Sequence, residues 1–185
     1  MLNRASAYLL CAEDGILEGR PQGKRLRDDI VQALDALPSD TLLPLDFGRV
    51  RFLDYSCADE LVAKLVRRVS AGDLGGRYII LSNASDSVRE NISAALTLRQ
   101  LACVYEGLNG GPEILGRLSP ELRDTYVLAL QCGQITARNV VERTGKTIAA
   151  SSNRLARLKG LGLLAWIGSE AGDVGGRQNV FVPVR

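Results

Sequence analysis

The sequence predicts a two-domain protein, with an N-terminal α/β domain built on a mixed sheet and a C-terminal domain of three helices and a β-hairpin. Strand-length apolar runs alternate with helical patterns over residues 1–106, whereas residues 118–185 carry three helical patterns and then two strand patterns. Residues 107–117 lie in a stretch rich in glycine, which is typical of a linker. The charge also changes sign here: residues 1–116 have 13 Lys+Arg against 16 Asp+Glu (net −3), and residues 117–185 have 10 against 5 (net +5).

Composition excludes several classes of function. No apolar run reaches the ~20 residues that span a bilayer, so we expect a cytoplasmic protein without a membrane segment. The chain of 185 residues contains no histidine, which excludes Ser-His-Asp and Cys-His catalysis and histidine metal ligands. We therefore predict no enzyme activity, no metal and no cofactor. The four isolated cysteines are expected to be reduced and buried, namely Cys11, Cys57, Cys103 and Cys132.

The N-terminal domain follows a repeating strand and helix order. The patterns predict a strand over 6–12, a helix over 24–37, a strand over 41–48, a helix after Ser56, a strand over 75–82, a helix over 85–101 and a strand over 102–106. Pro44 within the second strand favours a sheet edge or a bulge. The helix after Ser56 is amphipathic, with an apolar face and with outward-facing Asp59, Glu60, Lys64, Arg67 and Arg68. Glu60 and Lys64 have the i,i+4 spacing that favours an ion pair.

The segment "LPLDFGRVRFLDYSCADELVAKL" resembles the STAS-like family, whose members are related to the anti-sigma factor antagonists. The resemblance rests on Asp46-Phe47, Val50, Asp54, Ser56 and the "ADEL" that enters the helix, and it extends in outline over residues 3–106. It implies a domain that binds other proteins. It also implies phosphorylation of Ser56 by an anti-sigma-type kinase, because Ser56 matches the serine that is modified in the antagonists.

Ser56 has a simpler interpretation from its position alone. Ser56 followed by Asp59 approximates a capping box, in which the hydroxyl accepts a hydrogen bond from an amide of the first helical turn. Phosphate at Ser56 would meet the carboxylates of Asp54, Asp59 and Glu60 at close range. The neighbouring Cys57 is expected to be buried rather than reactive.

The C-terminal domain begins with a helix capped by Ser119, with Pro120 at its first position. A second helix starts at Thr136 and ends at Gly145, and a third starts near Thr147 and ends at Gly160 or Gly162. Two strands then follow, over residues 163–170 and 179–185, joined by a tight loop.

The segment "VVERTGKTIAASSNRLARLKGLGLLAW" resembles the winged helix-turn-helix family. The resemblance implies double-stranded DNA as a partner and favours a homodimer that reads two half-sites. Helical spacing places Ile148, Ser151, Leu155 and Leu158 inward. The predicted DNA-contacting residues are Lys146, Thr147, Ala150, Asn153, Arg154, Arg157, Lys159 and Arg177.

Two functions remain open at this point. The leading hypothesis is a transcriptional regulator with a signal-sensing or partner-binding first domain and a DNA-binding second domain. The alternative is an interaction protein of a partner-switching pathway, because winged helices also bind proteins and the wing carries Glu170 and Asp173. The "TGKT" at Thr144–Thr147 is a turn between helices rather than a phosphate-binding loop, since Val140 stands where that loop requires glycine.

Overall fold

The protein has an α/β fold with a mixed main sheet. The computed structural model describes residues 2–12, 14–107, 111–171 and 177–185. The chain divides into two compact units, a first unit of Asn3–Leu118 and a second unit of Ser119–Val184. Each unit is described separately below.

The first unit contains eight of the described strands, and these form one main sheet and one small ribbon. They are β1 (Asn3–Arg4), β2 (Tyr8–Leu9), β3 (Ile16–Leu17), β4 (Thr41–Asp46), β5 (Phe52–Leu53), β6 (Tyr78–Ser82), β7 (Ala102–Glu106) and β8 (Pro112–Gly116). The main sheet has the order β1-β4-β6-β7-β8, with β2 also paired to β4, while β3 and β5 form the ribbon. The described pairings are parallel except that β8 runs antiparallel to β7.

The helices of the first unit pack on one face of this sheet. They are α1 (Gly19–Asp35), a continuous helix made of α2 (Tyr55–Ala58), a π-helical segment (Asp59–Ala63) and α3 (Lys64–Ala71), and then α4 (Asp86–Leu98). Alternate strand residues share one apolar cluster with the helices, including Leu43, Leu45, Ile79, Leu81, Ile30, Leu34, Leu61, Leu65 and Ile92. The predicted strands and helices occur in the predicted order, although α1 begins at Gly19, the N-terminal strand is split into β1 and β2, and the ribbon strands β3 and β5 were not predicted.

Pro44 lies in an interior strand, so the expectation of an edge or a bulge is wrong. On one side β4 pairs with β6 along its length. On the other side β1 pairs with Thr41 and Leu42, and β2 pairs with Leu45 and Asp46. The neighbouring strand is therefore interrupted opposite Pro44, which has no N–H to donate, and this interruption removes the need for a hydrogen bond there.

The linker predicted over residues 107–117 is also wrong in its second half. Pro112–Gly116 forms β8, which pairs with β7 from Glu106↔Pro112 to Ala102↔Gly116. Glycine and proline suggested a linker, but Ile114 and Leu115 are half-buried between them and Leu115 packs against the core. The strand therefore belongs to the first unit, whose last residue is Leu118.

The second unit consists of three helices and a β-hairpin. Its elements are α5 (Pro120–Cys132), α6 (Ala137–Thr144), α7 (Ile148–Gly160), β9 (Leu164–Ala171) and β10 (Arg177–Pro183). Ser119 occupies the N-cap position of α5 and Pro120 is its first residue, as predicted, although the Ser119 hydroxyl makes no capping hydrogen bond to the backbone. The hairpin gains a third extended segment that the sequence did not predict: Ile135 N–H donates to Phe181 O at 2.9 Å, and Phe181 N–H donates to Ile135 O at 3.0 Å.

Burial of the cysteines differs from the expectation at two of the four positions. Cys57 and Cys103 are buried, and burial raises the pKa of each thiol to about 12. Cys11 follows the short strand β2 and Cys132 ends α5, and both are exposed. Among the described helices, none combines the length and the apolar character that a membrane crossing requires.

Candidate nucleic-acid interface and candidate switch serine

Helices α6 and α7 are joined by a short turn whose two ends are fixed by capping contacts. Thr136 caps α6 in a reciprocal capping box with Asn139. Gly145 ends α6 with a φ of +66°, a conformation that glycine adopts without steric cost. Thr147 caps α7, since its hydroxyl accepts the N–H of Ala150 at 3.3 Å. The predicted boundaries at Thr136, Gly145 and Thr147 are confirmed, so the start of α7 is held relative to α6.

Helix α7 has a buried face and an exposed face of opposite character. Ser151, Leu155 and Leu158 are the buried residues of the helix. Apart from Ile148 at its start, the exposed face consists of small residues, one amide and two cations, namely Ala149, Ser152, Asn153, Ala156, Arg157, Lys159 and Gly160. Such a face permits close approach of a duplex and offers hydrogen-bonding groups to base edges and phosphates.

Six of the eight predicted DNA-contacting residues are exposed, and they are Lys146, Thr147, Asn153, Arg157, Lys159 and Arg177. Ala150 and Arg154 are half-buried and therefore less exposed than the other six. They lie four residues apart on the flank of α7, each one position before a buried residue. Ser152 and Ala156 occupy the exposed face instead, at positions that helical spacing alone could have identified.

Arg154 and Arg157 lie close enough to α5 to act on Glu121 in its first turn. The pKa of Glu121 is lowered by hydrogen bonds from its own backbone N–H and from the Ser119 hydroxyl, and further by the charges of Arg154 and Arg157. Glu121 is therefore a carboxylate that partly balances these two arginines. A phosphate group bound at α7 would compete with it for Arg157.

Ile148 contradicts the predicted inward stripe, because its side chain is 58% exposed. It is the first residue of α7, so no preceding helical turn covers it, and the buried face begins only at Ser151. Helical periodicity assumes that each residue has helical turns on both sides, so it did not identify the exposure of this first residue.

The hairpin presents Arg177 and Trp166 at its surface. Arg177 is the first residue of β10, and it pairs with Ala171 of β9. Trp166 is 47% exposed, and its indole N–H donates to Asn179 Oδ1 at 3.1 Å. The acidic Asp173 that was expected in the wing lies outside the described residues.

The N-terminus of α2 is capped by Asp54, so the prediction that Ser56 is the N-cap is wrong. Asp54 Oδ1 accepts the N–H of Cys57 at 2.6 Å, and its Oδ2 accepts the N–H of Gly19 at 3.1 Å. Asp54 is a preferred capping residue two positions earlier, a signal that was available in the sequence. Ser56 is instead the second residue of α2 and half-buried, and its hydroxyl has no hydrogen-bond partner among the described residues.

Asp59 and Glu60 are buried, with 3% and 6% exposure, although the helical pattern predicted that they face outward. They begin the π-helical segment, in which all five residues are buried. A π-helical turn holds more residues than the 3.6 assumed from the sequence, so the faces of the helix shift at this point. Gly23 of α1 allows α1 and α2 to approach closely, because a Cβ at Gly23 would lie 2.9 Å from Cys57 O.

Both buried carboxylates are neutralised by cations from three elements. Asp59 accepts hydrogen bonds from Arg99, which follows α4, and from Arg20 of α1 at 3.1 Å. Arg99 first, and Arg20 after it, hold the pKa of Asp59 below its ordinary value against the opposing effect of burial.

Glu60 is held in the same way. Its carboxylate accepts from Arg27 Nη1 at 2.6 Å and pairs with Lys64 one turn later, so the predicted Glu60–Lys64 pair is confirmed. Lys64 first, and then Arg27, lower the pKa of Glu60 although burial opposes them.

Comparisons of the chain with protein-family models, with curated proteins and with solved structures find no match.

Proposed function

We propose that the protein is a cytoplasmic transcriptional regulator, in which a STAS-like first unit senses a signal or binds a protein partner and a winged helix-turn-helix second unit binds double-stranded DNA. The observation that carries this proposal is the exposed face of α7, which combines small residues with Asn153 and Arg157 at the end of a capped helix-helix turn. A homodimer that contacts two half-sites is part of the proposal.

The elements and charges around α7 support the proposal that this surface binds DNA. The hairpin and the Ile135–Phe181 bridge follow the order expected of a wing beside the second helix of a helix-turn-helix. No Asp or Glu occurs between Arg143 and Ser169, a stretch that includes all of α7. A polyanion would therefore meet cations on Lys146, Arg157 and Lys159 without a carboxylate on the same helix.

Fluorescence anisotropy with labelled duplexes of random sequence tests the proposal through its salt dependence. Four exposed cations suit phosphates, namely Lys146, Arg157, Lys159 and Arg177. If each replaces one counterion, log K should fall with log salt with a slope of about −4 for one copy and about −7 for a dimer. Arg157→Ala should weaken binding to all sequences and reduce the slope by about 1 for each copy bound. Absence of binding at low salt, or a slope near zero, would reject DNA as the partner.

A second function has support from a specific observation in the first unit. Partner switching through phosphorylation of Ser56 faced the objection that Asp54, Asp59 and Glu60 would repel a phosphate. Of these, Asp54 accepts two backbone N–H groups, whereas Asp59 and Glu60 are ion-paired. In the folded chain these two carboxylates are paired with four cations, namely Arg20, Arg27, Lys64 and Arg99. The Ser56 hydroxyl is also not used as a cap, so modification would not remove a structural hydrogen bond.

Mass spectrometry of the protein isolated from its own cells tests this second function. A phosphate on the peptide that contains Ser56, absent from Ser56→Ala, would support it. The matched stability control is Asp54→Ala, which should cost about 1 kcal/mol because it removes the actual cap, while Ser56→Ala should change stability by less than about 0.5 kcal/mol. An unmodified Ser56 under all growth conditions would reject the switch.

A further inference from the structure

Ile148 is exposed at a place where neither folding nor helix formation requires isoleucine. Its side chain is 58% exposed, and it is not part of the buried face of α7. A β-branched residue is also a moderate helix former at best, so the helix would form at least as well with alanine. An isolated exposed apolar residue is ordinary in itself, and its meaning depends on what surrounds it.

The surroundings of Ile148 are those of the surface proposed to bind DNA. Lys146 and Thr147 precede it, Ala149 follows it, and all three are exposed. In a helix-turn-helix, the N-terminal residues of the second helix are the ones that reach base edges in the major groove. An apolar side chain at this position cannot pair with donors or acceptors, so it needs an apolar group on the DNA.

Thymine supplies that group, because its C5 methyl is the apolar feature of a base pair in the major groove. We propose that Ile148 packs against the C5 methyl of a thymine and thereby specifies T at one position of each half-site. This inference rests on the proposed DNA-binding function and names one specificity-determining residue within it. A cytosine or a uracil at the same position leaves the side chain without its contact.

Replacing thymine by uracil removes only the methyl group, and it tests the contact without knowledge of the binding site. Two random 20-base-pair duplex libraries are prepared, one with thymine and one with uracil throughout, and each competes for the full-length protein. For duplexes with T at the contacted position, replacement by U should weaken wild-type binding by about fourfold for each methyl contact, the effect expected for burying one methyl group, so the thymine library as a whole should be preferred by a smaller factor. Sequencing of bound duplexes should show a T-enriched position only in the thymine library.

Variants assign the effect to Ile148. Ile148→Ala should bind the two libraries equally, and Ile148→Val should retain part of the preference. Val127→Ala is the matched control: Val127 is an exposed apolar residue on α5 with 45% exposure, and its removal should leave the thymine preference unchanged.

Each outcome separates this contact from the proposed function. Salt-dependent binding with equal affinity for both libraries would overturn the Ile148 contact and leave DNA binding intact. A thymine preference that persists in Ile148→Ala would also overturn it. Failure to bind either library at low salt would reject the proposed function, and the Ile148 contact with it.

Discussion

The two units differ in whether the charged residues of a helix are paired. The helices compared are the one that Asp54 caps in the first unit and α7 in the second unit. Around the first helix, Asp59 and Glu60 are buried and each is paired with cations from α1, from Arg99 after α4 or from its own helix. On α7, Arg157 and Lys159 are exposed, and neither has an ion pair within 4.0 Å among the described residues.

This difference separates charges that stabilise the fold from charges that remain available to bind a ligand. A buried carboxylate must be paired, because an unpaired charge in the interior costs several kcal/mol. An exposed cation is solvated and costs almost nothing, so cations without an ion pair on one helix can bind an anion, which at Arg157 would compete with the longer-range attraction of Glu121. By this criterion the acids at the start of the π-helical segment are structural, whereas the cations of α7 are the stronger candidates for function.

The largest expected effect follows from removing a buried charge. Glu60→Ala leaves Arg27, whose side chain is 13% exposed, without its principal carboxylate. We expect a loss of about 3 kcal/mol in the free energy of unfolding, measured by urea denaturation followed by circular dichroism. The control is Glu90→Ala on the exposed side of α4, which should cost less than about 0.5 kcal/mol. Similar losses in the two variants would show that the buried pair is not structural.

Acid should also destabilise the wild type, because protonation removes the negative charges of the buried carboxylates. The pKa values of Asp59 and Glu60 are lowered from their ordinary values of 3.8 and 4.5, so the unfolded state binds protons first as the pH falls. The stabilisation is complete above the unfolded pKa values and is lost as the pH falls through the lower folded values. Urea midpoints measured from pH 7 down to pH 3 should therefore decline less steeply in Glu60→Gln than in the wild type. Parallel declines would contradict the pairing.

On α7 the comparison predicts an effect on binding rather than on stability. Asn153→Ala should cost about 2 kcal/mol in discrimination between preferred and random duplexes, because an asparagine at a base edge contributes to sequence reading. Arg154→Ala should weaken all duplexes alike and less strongly, because Arg154 is half-buried on the flank. Competition anisotropy with a selected and a random duplex measures both. Loss of preference in Arg154→Ala but not in Asn153→Ala would reverse this assignment.

The sequence predicted local features well and long-range ones poorly. The N-cap positions at Ser119, Thr136 and Thr147 and the end of α6 at Gly145 depend on residues within a few positions, and all four are confirmed, whereas the N-cap predicted at Ser56 lies at Asp54. Of the four cations paired with Asp59 and Glu60, Lys64 lies at helical spacing, whereas Arg20, Arg27 and Arg99 lie 33 to 40 positions away, where periodicity cannot identify them.

Errors also arose where the chain departs from ideal geometry. The π-helical segment changed which residues are buried, β8 formed from a glycine-rich stretch, and Ile148 lay at a helix end. For the candidate interface, composition and spacing identified the helix and its exposed cations. The side-chain exposures in the structure showed that Ala150 and Arg154 lie on the flank and that Ser152 and Ala156 lie on the exposed face.

The smallest expected effect compares two adjacent serines on the two sides of α7. Ser151 is fully buried, and its hydroxyl has no hydrogen-bond partner among the described residues, whereas Ser152 is exposed. Ser151→Ala should stabilise the second unit by about 1 kcal/mol, because it removes a buried unsatisfied hydroxyl and improves helix propensity. Ser152→Ala should gain only the propensity contribution, about 0.5 kcal/mol or less.

The single tryptophan of the chain, Trp166, lies on β9, so its fluorescence reports unfolding of the second unit in both variants. DNA affinity should be unchanged in Ser151→Ala, since that side chain points away from the proposed interface. A loss of stability in Ser151→Ala would mean that the buried hydroxyl makes a hydrogen bond in solution, for example to the carbonyl of Thr147 one turn earlier. Ser151 would then resemble Asp59 and Glu60, as a buried polar group that is stabilised by a specific hydrogen-bond partner.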